Sequence, residues 1–138
     1  IGLANPNALL MANNCFQAVQ SVGWPESRII LSQCTIYLAN SPKGNGAYKA
    51  INYAQQVVME TGNLGVPLHL RNAPTKLMKE LGYGQGYKYS HDFPGNFVNQ
   101  EFMPEEISGV SFFSAGSNAK EKAVEENINR LWGKKYYK

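Results

Sequence analysis

Apolar residues recur at helical spacing along the first sixty positions. Leu9, Ala12, Phe16 and Val19 share one stripe after Asn5-Pro6, which predicts a helix with an Asn cap and a proline in its first turn, ending at Gly23. Trp24-Pro25-Glu26 opens a second pattern, with Ile29, Ile30, Cys34, Tyr37 and Leu38 on one face and a stop at Ser41-Pro42-Lys43-Gly44. Tyr48, Ile51, Ala54, Gln55 and Val58 form a third, closed by Gly62. Connections this short predict neighbouring helices that pack roughly antiparallel, so residues 1–62 read as a three-helix layer.

Residues 63–115 lose the periodicity. A short helix is expected from Thr75 to Leu81, with Asn72 able to cap it, Lys76 and Lys79 on one side and Leu77, Met78 and Leu81 on the other. A single turn is expected at Pro104–Gly109. Tyr83, Tyr87, Tyr89, Phe93, Phe97 and Phe102 are too many aromatics for a disordered segment, so this stretch is expected to wrap over a core. Residues 116–138 predict a last amphipathic helix on Ala123, Val124, Ile128 and Leu131, then a frayed basic tail, Lys134 to Lys138. The fold class that follows is an all-α helical bundle with long wrapped loops, in one domain.

Composition narrows the function. The chain has 138 residues, enough for one core, and its charged fraction of 17% is low, which leaves room for surface covered by partners. A net charge of +3 does not by itself name nucleic acid as a partner. Cys15 and Cys34 lie within helical patterns and lack metal-ligand spacing, so they read as reduced, buried thiols of a cytosolic protein. With neither a signal peptide nor a run long enough to span a bilayer, the chain is expected to be a piece of a longer soluble protein, without a membrane partner.

The chemistry concentrates between His69 and Gly95. Gly82-Tyr83-Gly84-Gln85-Gly86-Tyr87-Lys88 lacks the Gly-Lys-Ser/Thr of a P-loop, and Tyr87 stands where a dinucleotide fingerprint needs glycine. Gly82, Gly84 and Gly86 instead suit positive φ and close backbone approach, with Gly82 as a helix C-terminal cap; Tyr83, Tyr87 and Tyr89 would complete a packing or assembly loop. His91-Asp92 reads as a loop corner rather than a base and its orienter. No catalytic constellation, metal site or cofactor site can be placed. Arg71, Lys76, Lys79 and Lys88 form a basic stretch that either contacts DNA or a partner, with the tyrosines as stacking platforms, or is a solvated helix face.

The runs "PLHLRNAPTKLMKELGYGQGYKYSHD", "QEFMPEEISGVSFF", "IGLANPNALLMANNCFQAV" and "RIILSQCTIYLANSPKGNGAYKAI" resemble the C-terminal domain of the RarA/MgsA family of AAA+ ATPases, whose eukaryotic relatives include the Werner-helicase-interacting ATPase. The resemblance covers nearly all of the chain up to Phe113. It implies a C-terminal helical domain similar to the clamp-loader collar, which holds subunits together as a homotetramer in bacterial members. It also implies a parent ATPase of replication-fork maintenance, recombination and repair. That parent would carry ATP and Mg in an N-terminal part not present here, bind DNA and single-stranded-DNA-binding protein, and reside in the bacterial cytoplasm with the nucleoid, or in the nucleus of a eukaryote. The resemblance assigns neither contact to particular residues.

Overall fold

In the computed structural model, which describes residues 1–133, 135 and 136, every regular element is helical; no strand occurs among the described residues. The α-helices are α1 (Asn7–Val22), α2 (Ser27–Ala39), α3 (Gly46–Thr61), α4 (Lys76–Glu80) and α5 (Ala119–Trp132). Short 3₁₀ turns at Gly2–Ala4, Leu68–Leu70, Ser90–Asp92, Pro94–Asn96 and Glu105–Ile107 supply most of the remaining order. The chain divides into two compact units. One comprises Ile1–Ala54 with Phe112–Asn127, the other Gln55–Ser111 with Ile128–Lys138.

The first three helices stand where the periodicity puts them, but they bury different faces. On α1 the covered positions are Ala8, Met11, Ala12, Cys15, Ala18 and Val19, whereas Leu9 and Phe16 are 78% and 63% exposed. On α2 the covered positions are Ser27, Ile30, Cys34, Tyr37 and Leu38, and Ile29 is exposed. On α3 they are Gly46, Ala50, Ala54 and Val57, while Tyr48, Ile51, Gln55 and Val58 face solvent. α1 and α2 pack closely on each other along stripes that include Ala8, Cys15 and Cys34, whereas the buried start of α3, at Gly46, lies against Phe113 and Glu121. Periodicity reports which residues share a face, not which face is covered.

A glycine closes α1, and side chains close α2. Gly23, at φ +73°, ends α1 and its N–H donates to Val19 O. At the end of α2, Asn40 Nδ2, Ser41 Oγ and Lys43 Nζ donate to the carbonyls of Ile36, Tyr37 and Leu38 at 2.8, 2.8 and 3.0 Å. Asn5 does not cap α1 through its side chain. Its Nδ2 donates to Tyr37 Oη and Ser41 Oγ, which ties the entrance of α1 to the exit of α2. Cys15 and Cys34 are free and buried as expected, and their thiols lie against Ile30 O and Met11 O. Burial, followed by the neighbouring Cys34 thiol, pushes the Cys15 thiol pKa up, so neither geometry nor charge favours a reactive thiolate.

On α5 the second half of the apolar stripe, Ile128 and Leu131, is covered as expected, but Ala123 and Val124 are exposed, and the fully buried residue of its first turn is Glu121. Asn118 caps the helix by accepting the Glu121 N–H at 2.9 Å. Glu121 Oε2 in turn accepts the Gly116 N–H at 2.7 Å, and Glu125 takes the Ala115 N–H. This is a relative of the capping box, with the acidic side chain reaching back beyond the cap residue. The tail expected to fray is docked in its described part, at Lys135 and Tyr136; Lys134, Tyr137 and Lys138 lie outside the described residues.

Candidate functional site

The second unit holds the Gly–Tyr loop. α4 begins at Thr75, whose Oγ1 accepts the Met78 N–H; Asn72 is not its cap. It ends in a Schellman motif, in which Gly82 N–H donates to Lys79 O and Tyr83 N–H to Met78 O, both at 3.0 Å. Gly82, Gly84 and Gly86 all have positive φ, at +80°, +73° and +79°, in keeping with their spacing. Gly84 N–H donates to Leu68 O at 2.9 Å, so the loop backbone lies directly on the 3₁₀ turn beneath it.

Arg71 is a fastener of this arrangement. Its Nε donates to Val66 O at 2.6 Å, its Nη1 to Tyr83 Oη at 3.2 Å, and the guanidinium stands over the Tyr83 ring. Of the tyrosines, Tyr83 is therefore packed, while Tyr87 and Tyr89 are exposed, Tyr89 against the His91 ring. His91 and Asp92 sit on an exposed 3₁₀ turn. A cleft of about 490 Å³ opens between the 69–73 segment and Gly84, with Tyr87 and Phe102 at its edge.

The other basic residues point away from such fasteners. Lys79 is exposed, and Lys76 meets Glu80 only at 3.9 Å with 91% of its side chain exposed, too loose and wet a pair to add much stability. Leu77 and Leu81 are exposed beside them, so α4 covers only Met78 well. The backbone of Lys88 is held in both directions by buried Gln100, whose Oε1 accepts its N–H and whose Nε2 donates to its carbonyl. The structure thus leaves Lys76, Lys79 and Lys88 exposed, while Arg71 is half-buried and its guanidinium is engaged with Val66 O and Tyr83.

Glu101, which the sequence did not single out, is the hub of the unit. Oε1 accepts the Phe102 and Met103 N–H groups, Oε2 accepts Ser108 Oγ at 2.6 Å, and Lys135 Nζ approaches Oε2 at 3.3 Å. Burial pushes its carboxyl pKa up, but the hydrogen bonds from Ser108 and Met103 and the Lys135 ammonium outweigh that and hold it at about 2. Lys135 also donates to Gln100 O and stands over the Trp132 and Tyr136 rings. Phe97 and Phe102 pack edge-on against Trp132. His69 Nε2 lies 2.7 Å from Glu101 O, which gives that histidine a structural partner. No cluster of three or more metal-ligating side chains occurs among the described residues.

The feature most easily missed in the sequence is the outward surface of the first unit. Leu9, Leu10, Phe16, Trp24, Ile29, Ile36, Tyr48 and Ile51 are all exposed large apolar residues. Asn7–Val22 contains no charged residue at all, and the near-absence of charge up to position 42 is the sequence signal that goes with it.

The match to known proteins spans both units. The family model for the C-terminal region of MgsA AAA+ ATPases matches residues 1–132. The chain belongs to this family. As a member of the MgsA C-terminal family it is 38% identical over 129 residues to replication-associated recombination protein A of Coxiella burnetii, covering 93% of the chain and 29% of that protein. It is 42% identical over 114 residues to ATPase WRNIP1 of Dictyostelium discoideum, covering 82% of the chain and 13% of that protein. An uncharacterised protein of Thermotoga maritima is 40% identical over 136 residues, 99% of the chain and 22% of its own length. The chain thus spans less than a third of each of these relatives. No helix among the described residues is long and apolar enough to cross a membrane.

Proposed function

We infer that this chain is the oligomerisation and scaffold domain of an AAA+ ATPase acting in replication-associated recombination, fork maintenance and repair. One observation carries the reading: α1, α2 and α3 present large apolar residues, Leu9, Phe16, Ile29 and Ile51 among them, to solvent. Large apolar residues exposed in such number mark an interaction site, and interface cores are depleted in charge as α1 is. The partner is further copies of the same chain, as a tetramer, in an arrangement like a clamp-loader collar. ATP and Mg act elsewhere in the parent protein, and this domain performs no reaction of its own. DNA and single-stranded-DNA-binding protein are partners of that parent, which works in the bacterial cytoplasm at the nucleoid, or in the nucleus if the source is eukaryotic. Multi-angle light scattering tests the reading: the chain runs at a multiple of its 15.3 kDa mass at micromolar concentration, and a strictly monomeric chain would refute it.

A second reading adds DNA contact. The exposed Lys76, Lys79 and Lys88, interleaved with exposed Tyr87 and Tyr89, combine cations for phosphates with aromatic faces for bases. It is compatible with the first, because the two surfaces belong to different residues.

A further inference from the structure

A second cleft of the Gln55–Ser111 unit, other than the one beside Gly84, opens between residues 65–71 and 101–108. We propose that it is a docking groove for a short extended peptide segment that carries a lysine or arginine beside an apolar residue. The proposal stands apart from the assembly and DNA readings, since it uses neither the surface of the first unit nor Lys76, Lys79 and Lys88. The cleft holds about 520 Å³, within the range of pockets that bury a small ligand. A helix, about 10–12 Å across, would use up that volume in roughly one turn, so the fit is to an extended segment.

Two features of the lining select the occupant. Its apolar part includes Val66 and Leu68, 55% and 48% exposed. Its charged part is acidic: Glu105 and Glu106, on the 3₁₀ turn Glu105–Ile107, are exposed, and neither forms a salt bridge among the described residues. The cations nearby are already committed. Arg71 is held by Val66 O and Tyr83, and Lys135 by Glu101 and Gln100 O. Two carboxylates without a counter-charge, set beside exposed apolar side chains, match a basic residue, whose methylene stem lies on apolar surface while its charged head stays at the wet rim. A nucleic-acid strand would bring phosphates up to the carboxylates and be repelled. A wholly apolar segment would take water from the carboxylates and give nothing back.

The test measures fluorescence anisotropy of labelled hexapeptide libraries with the 138-residue chain, with far-UV circular dichroism and thermal melting as controls of folding. One library fixes Leu-Arg at its central positions, a second Leu-Glu and a third Ser-Arg, the other positions being random. The Leu-Arg library should bind about fivefold or more tightly than the other two. Glu105→Gln with Glu106→Gln should weaken its binding by about fivefold and flatten the salt dependence, as the loss of two exposed ion pairs does. Leu68→Ser should weaken binding and keep the salt dependence, because it removes apolar area and no charge. Equal binding of the Leu-Glu library, or binding unchanged in the folded double-Gln variant, overturns the proposal, and so does a failure of all three libraries to bind. Displacement of the peptides by spermidine at equal concentration of charge would mean a site for any polycation, and would overturn the peptide as occupant.

Discussion

Glu121 Oε1 occupies the space that a side chain on Gly44 would need. The other oxygen, Oε2, is fastened to the Gly116 N–H at 2.7 Å, and the residue is 0% exposed, so the carboxylate cannot swing aside. An added methyl at Gly44 would also stand 3.1 Å from Asn118 Nδ2 and 3.2 Å from Ala4 Cβ. Gly44→Ala should therefore destabilise the first unit by about 1–3 kcal/mol, as overpacking does. In a chain of this length that lowers Tm by roughly 3–10 °C. Combined with Glu121→Ala, the two losses should fall short of additive in thermal melts, because the second change removes the obstacle met by the first.

Glu101 gives the second unit an acid limit. Its carboxyl pKa lies at about 2 in the fold against an ordinary value of 4.5, so the stabilisation it provides is complete above pH 4.5 and disappears as pH falls through about 2. The side chain is 29% exposed, and the contribution is at most about 3 kcal/mol. Glu101→Gln should lower stability at neutral pH and flatten the loss between those pH values. Urea titrations at a series of pH values would show it, and an unchanged slope for the variant would remove Glu101 from this role.

Gly84→Val should be harmful for a backbone reason. The residue has φ +73°, and its new Cβ would lie 3.4 Å from Arg71 O, an ordinary van der Waals distance, so strain rather than collision sets the cost. A branched residue in the left-handed region is disfavoured by about 1–3 kcal/mol. Hydrogen exchange at the Gly84 amide, which donates to Leu68 O, should accelerate in step. By contrast Tyr87→Ala, at an exposed rim position, should leave the melting temperature within about a degree of wild type.

If α4 contacts DNA, Lys76→Glu with Lys79→Glu should reduce both affinity and its dependence on salt, since each phosphate left without its lysine takes about one counterion off the slope. Arg71→Ala should act differently. It gives up the bonds to Val66 O and Tyr83 Oη and should lower stability with little change in slope. Fluorescence anisotropy on single-stranded DNA at several salt concentrations separates the two, and equal slopes for wild type and the lysine variant would leave the basic stretch without a role in DNA binding.

The sequence by itself determined where helices begin and stop and where the backbone must turn left-handed. Gly23, Gly62 and Gly82 close α1, α3 and α4 because only glycine takes those angles without cost, and that requirement is local. The positions of Cys15 and Cys34 inside helices, and the family resemblance carried by the loop from His69 onward, were legible for the same reason: each depends on neighbours along the chain. Which face of a helix is covered was not. Leu9 and Ala8 are adjacent in sequence, and only the packing of α2 on the Ala8–Cys15 side decides that the smaller residue is inside. Nor could spacing distinguish Glu121, buried under Gly44 and Gly116, from the exposed Glu126 in the same helix. Arg71 likewise reads as one of four cations until Tyr83 and Val66 O are brought to it. Burial and partnership depend on residues distant along the chain, so they belong to the tertiary structure alone.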